Sequence, residues 1–180
     1  MEATPEKLAS EFRRYHKEIG KLNGGSTILS KKQIKKFIDE VKPTTILDYG
    51  CGGGKQYSKE KCHEYWGVDK PTMYDPYIER YSEKPTGHFD LVLCVDVLEC
   101  VHYDEFHAVL DEVCSFGDAI YFKLDTKPAT KNLKGGINMH PIQNSEDWWY
   151  ETLDILVPED KTVVISFKHD RVKRSNERNI

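Results

Sequence analysis

The sequence predicts an α/β protein built on a mostly parallel sheet, with helices on both faces and a C-terminal antiparallel hairpin. Three observations carry that prediction. Short apolar runs alternate with stretches whose apolar residues recur at helical spacing. The first run, Thr44 to Asp48, enters a glycine cluster, as the opening strand of a βαβ nucleotide-binding unit does. Two late β-prone segments, near Leu153–Val157 and Thr162–Lys168, flank a Pro158-Glu159-Asp160-Lys161 turn.

The elements follow in order. Thr4 caps a first helix, Pro5 takes its first turn, and Leu8, Phe12, Tyr15 and Ile19 line one face. Gly20 to Thr27 reads as a loop. Ser30 and Gln33 form a capping box for a second helix with a buried stripe of Ile34, Phe37, Ile38 and Val41, and Pro43 stops it. Phe89 to Val95 is the clearest buried strand. Asp104 caps the next helix, with Phe106, Val109, Leu110, Val113 and Cys114 facing inward and Gly117 closing it. Ala119 to Leu124 is another strand. Trp148, Trp149 and Leu153 lie on a short helix capped by Asn144 or Ser145, with one tryptophan in the core and the other walling a pocket. The chain divides into an N-terminal helix and loop (1–29), a main domain (30–170) and a basic tail (171–180).

Composition narrows the function classes. At 180 residues the chain is one domain, long enough to bury a core without disulfides or metals. It is 38% hydrophobic and 31% charged, which excludes a disordered chain. No apolar run approaches the ~18 residues of a bilayer span, and the polar N-terminus is no secretory signal, so the expected location is the cytoplasm, away from membranes. Lys and Arg number 26 against 30 Asp and Glu, so a nucleic-acid partner is not expected. The five cysteines, an odd number without a C-x-x-C pair, read as reduced thiols, with no metal site expected. Nothing in the sequence sets an oligomeric state.

The chemistry concentrates in Asp48-Tyr49-Gly50-Cys51-Gly52-Gly53-Gly54. The dinucleotide pattern G-x-G-x-x-G would need a glycine where Lys55 stands. A phosphate-binding G-K-[ST] fails because Gln56 follows Gly54-Lys55. The acid ahead of the first glycine disfavours a pyrophosphate and suits a cationic amine. Asp96 follows the 89–95 strand at the sheet edge where ligands bind in open α/β sheets. His140, in the loop Gly135 to Pro141, is the candidate base for an oxygen or nitrogen acceptor. Lys123, Asp125, Lys127, Lys131 and Lys134 make a charged approach to that loop. His16, His63, His88, His102, His107 and His169 show no ligand spacing.

These residues resemble the first motif of the Rossmann-like, class I S-adenosylmethionine-dependent methyltransferases, an acid–x–Gly–x–Gly–x–Gly turn matched by Asp48, Gly50, Gly52 and Gly54. Asp90 to Val101 resembles that family's fourth-strand motif, with Cys100 where the family usually has His. The likeness spans roughly Ile34 to Asp125, about half the chain. It implies a seven-stranded Rossmann-like sheet. It also implies an enzyme that moves a methyl group from S-adenosylmethionine to a small-molecule acceptor, leaving S-adenosylhomocysteine. The cofactor contacts it implies are Asp48, Tyr49, Gly50, Cys51, Gly52 and Gly54, an acid after the second strand, and Asp96 with Val97. Asp75, beside Pro76, is the preferred ribose acid, and Asp69 is the alternative. His140 and Asp96 are the expected catalytic pair. A lyase using the same cofactor, or a non-catalytic cofactor-binding module, is the alternative reading.

Overall fold

The computed structural model describes residues 4–19, 25–168 and 172–174. Helix α1 (Pro5–Ile19) begins as the sequence suggests, with Thr4 Oγ1 accepting the Lys7 N–H at 3.3 Å. Helix α2 (Gly25–Leu29) occupies part of the expected loop and runs directly into α3 (Lys31–Val41). Ser30 therefore makes no side-chain cap: its own N–H donates to the Ser26 carbonyl at 3.0 Å, so α3 has no free N-terminus for a capping box to satisfy. Lys42, in the left-handed region at φ 51°, ends α3 ahead of Pro43.

Strand β1 (Ile46–Tyr49) leads into the glycine loop, followed by the short helices α4 (Lys55–Ser58) and α5 (Cys62–Trp66). Next come β2 (Thr72–Tyr74), β3 (Phe89–Val95), α6 (Phe106–Ser115), β4 (Gly117–Leu124), α7 (Glu146–Leu156), β5 (Thr162–Phe167) and β6 (Val172–Arg174). Asp104 does not cap α6. It sits in a 3-10 turn whose own cap is His102, and Gly117 opens β4 rather than closing the helix.

The sheet order is β2-β1-β3-β4-β5-β6. The first five strands are parallel and β6 pairs antiparallel with β5. Two expectations are corrected here. The described residues form six strands, not seven. Only residues 75–88 separate β2 from β3, enough for one crossover between parallel strands but not for a further strand and a second crossover. The segment that resembles a fourth-strand motif is accordingly the third strand of this chain.

The hairpin around Pro158 does not form either. Residues 153–156 are the last turn of α7, whose Ser145 cap accepts the Trp148 N–H and whose Trp149 and Leu153, four apart, are both buried. Because β4 and β5 run parallel, the chain between them must cross over, and α7 is that crossover.

Side chains of β3 alternate between two cores. Val92 and Cys94 join a cluster with α6 and α7, while Leu91 and Leu93 join one with α3 and α5. A third, smaller cluster of Leu8, Phe12 and Leu133, with Tyr77, Cys100 and Met139 packed on it, ties α1 to the main domain. Among the described residues no helix is long and apolar enough to cross a membrane.

Candidate functional site

Strand order reverses between β1 and β3, because β2 flanks β1 on one side and β3 on the other. In open α/β sheets the crevice outside the carboxyl ends of the strands at that point is where ligands bind. A cavity of about 510 Å³ occupies it here, within the range of small-molecule sites. Its floor is the glycine loop with the residues following β2 and β3. Its roof is α1, through Ala9, Phe12, Arg13 and His16.

The glycine loop is held by its backbone. The N–H groups of Gly50 and Cys51 both donate to the Tyr74 carbonyl, at 2.8 and 3.0 Å, fastening the loop to the end of β2. Gly50 and Gly52 adopt φ of +76° and +56°, conformations that L side chains rarely take. A Cβ on Gly50 would stand 2.4 Å from Val97 Cγ2, so the loop can approach the residues after β3 only without a side chain.

Asp48 lies beneath the loop and does not line the cavity. Its carboxylate accepts from Gln56 Nε2 at 2.9 Å and from the Tyr57 hydroxyl at 2.7 Å, and Gln56 also donates to the Cys51 carbonyl at 2.8 Å. Burial pushes its pKa up to about 6, against the pull of those two donors. Gly54 is also off the wall. It packs on Tyr81, whose hydroxyl would be 2.8 Å from an added Cβ.

The remaining predicted contacts come together. Tyr49, Gly50, Cys51, Gly52, Asp75, Pro76, Asp96 and Val97 all line the cavity. Of the two candidate ribose acids, Asp69 is exposed on the segment before β2, whereas Asp75 is buried and faces the cavity. The register Tyr49↔Tyr74 places Asp75 beside the loop. Asp75 Oδ2 accepts the Gly52 N–H and Oδ1 the Tyr77 N–H, each at 3.0 Å. Burial raises the pKa of Asp75, while those N–H groups and nearby His16 oppose the rise.

Asp96 is a non-glycine residue at φ 55°. Lys123 Nζ reaches its Oδ1 at 2.5 Å and the Ser26 hydroxyl donates to its Oδ2. Through these two partners the carboxylate anchors α2 to the sheet edge. Behind it Glu99 is fully buried, its Oε1 accepting the Asp125 N–H at 2.8 Å. Burial and neighbouring Asp96 hold the Glu99 carboxyl well above the usual range.

His140 is not brought to the cavity. Its Nδ1 lies 2.8 Å from the Lys127 carbonyl, and its neighbour Met139 is the residue of that loop on the wall. Trp148 packs against Phe106 and Trp149 and does not wall the pocket. Lys123 and Asp125 are buried rather than part of an open charged approach. Comparison with family models, curated proteins and solved structures gives no match.

His16 is the cavity histidine that spacing along the chain does not reveal. The available signal is the α1 stripe itself, because His16 stands one turn after Phe12 and two after Leu8 on the buried face. The wall carries Asp75, Asp96, Glu105 and Glu112 together with Arg13, and Lys123 pairs with Asp96 and Lys84 with Glu112, each at 2.5 Å. Among the described residues no group of His, Cys, Asp and Glu is placed to hold a metal ion.

Proposed function

We propose that this chain is an S-adenosylmethionine-dependent methyltransferase of the Rossmann-like class, acting on a small-molecule acceptor. The observation that carries the reading is the cavity at the strand-order reversal. It joins a turn in which Gly50 and Gly52 take positive φ and an acid after β2 with acceptor capacity to spare. When bound, S-adenosylmethionine supplies a methyl carbon made electrophilic by its sulfonium.

The chain's residues would bind, orient and exclude water. Each Asp75 oxygen already takes one backbone N–H and keeps a lone pair for a ribose hydroxyl. Asp75 and Glu105 on the wall would favour the sulfonium and amino charges, whereas a pyrophosphate would meet them unfavourably. Val97 and Tyr49 offer apolar surface for the adenine. The roof of α1 shields the reacting atoms from water, and holding donor and acceptor in line supplies most of the rate. No dedicated base is required for an acceptor already deprotonated.

Isothermal titration calorimetry tests this reading. S-adenosylhomocysteine should bind the wild-type protein and NAD should not. Asp75→Asn should weaken S-adenosylhomocysteine by about 10- to 100-fold, the loss expected of hydrogen bonds to a charged acceptor. Asp69→Ala should leave it within about twofold, as an exposed residue away from the cavity should. Binding of NAD without S-adenosylhomocysteine would overturn the proposal.

A further inference from the structure

His16 is placed by rings. It stacks on Phe12 with centroids 6.4 Å apart, and Tyr15 meets its edge at 5.6 Å. Phe12 in turn lies on Tyr77, 5.5 Å away and nearly parallel at 9°. The Tyr77 backbone N–H is the donor to Asp75 Oδ1. This chain of contacts carries His16 from α1 to the same end of the cavity as Asp75, and both residues line it. The His16 Nδ1 is buried and has no hydrogen-bond partner among the described residues. The buried Nδ1 has no surface for a ligand to reach, so a ligand in the cavity would meet the ring at Nε2.

We infer that His16 is a ligand-binding residue, meeting from the roof of the cavity the same ribose hydroxyls that Asp75 meets from the floor. The inference rests on the adenosyl-ligand reading above and deepens it.

The chemistry of the two side chains is complementary. Burial lowers the His16 pKa and Asp75 opposes that fall, so the neutral ring carries one N–H donor and one acceptor nitrogen. Asp75 only accepts. A hydroxyl both donates and accepts, so it can give its hydrogen to the carboxylate and take the imidazole N–H on its oxygen. A vicinal diol offers this twice. An aliphatic ligand group would satisfy neither side chain. Contact with His16 also makes α1 part of the binding site, because the helix is otherwise fastened to the domain by the small cluster around Leu8, Phe12 and Leu133.

Two variants separate hydrogen bonding from packing. His16→Phe keeps a ring to stack on Phe12 and has no donor, whereas His16→Gln keeps a donor and loses the ring. Titration calorimetry is run with S-adenosylhomocysteine and with its 2′,3′-dideoxy analogue. His16→Phe should bind S-adenosylhomocysteine about 3- to 10-fold more weakly than wild type, and His16→Gln should recover most of that loss. The dideoxy analogue should bind wild type and His16→Phe within about twofold of each other. Unchanged S-adenosylhomocysteine affinity in His16→Phe would overturn the inference, and so would an equal loss on both ligands. Failure of wild type to bind S-adenosylhomocysteine at all would instead remove the adenosyl reading on which it stands.

Discussion

Gly50→Ala tests how tightly the glycine loop is built against the residues after β3. Gly50 sits at φ +76°, where an L side chain costs about 1–2 kcal/mol. Its added methyl would stand 2.4 Å from Val97 Cγ2. The backbone has little room to yield, because the Gly50 N–H is bonded to the Tyr74 carbonyl at 2.8 Å. Overpacking of this kind costs about 1–3 kcal/mol. The single variant should therefore lose about 2–5 kcal/mol of stability. Val97→Ala removes the colliding methyl, so in that background Gly50→Ala should cost only the backbone strain, about 1–2 kcal/mol. Urea unfolding of wild type, both single variants and the double variant gives the coupling energy, expected at about 1–3 kcal/mol. Additivity within about 0.5 kcal/mol would refute the steric argument.

Two buried carboxyls give further predictions. Asp48 has its pKa raised from 3.8 to about 6, so its contribution to stability is fully present below pH 3.8 and is lost as pH rises through 6. Asp48→Asn stays neutral and keeps an acceptor for Gln56 and Tyr57. Between pH 4 and pH 7 wild type should lose about 2–3 kcal/mol relative to that variant, and urea unfolding at the two pH values showing no such change would count against a raised Asp48. Burial and neighbouring Asp96 favour the neutral form of Glu99, so Glu99→Gln should cost no more than about 1 kcal/mol. Glu99→Ala should cost about 2–4 kcal/mol by leaving a cavity and an unpaired Asp125 N–H. Equal losses in the two variants would mean that the folded protein holds Glu99 ionised.

The sequence by itself determined the parts whose signal is local. The apolar run of β3 stands where its residues suggest, at Phe89–Val95. The α1 start at Thr4-Pro5 and the glycine turn after β1 are likewise readable in the chain, because capping, periodicity and φ > 0 are properties of a few adjacent residues. What depended on partners far along the chain was decided only by the tertiary structure. Ile155, Leu156 and Val157 are β-prone, yet the parallel pairing of β4 with β5 demands a crossover and 155 and 156 stay helical. Asp75 reaches the glycine loop, and Asp69 does not, through the register of β1 with β2. His140 is held on the Lys127 carbonyl outside the cavity. His16, from a helix set apart from the main domain in the sequence, comes within reach of Asp75 through Phe12 and Tyr77. A cavity is made of surfaces from distant segments, and which side chains meet in it depends on strand register and helix packing, which no window of neighbouring residues contains.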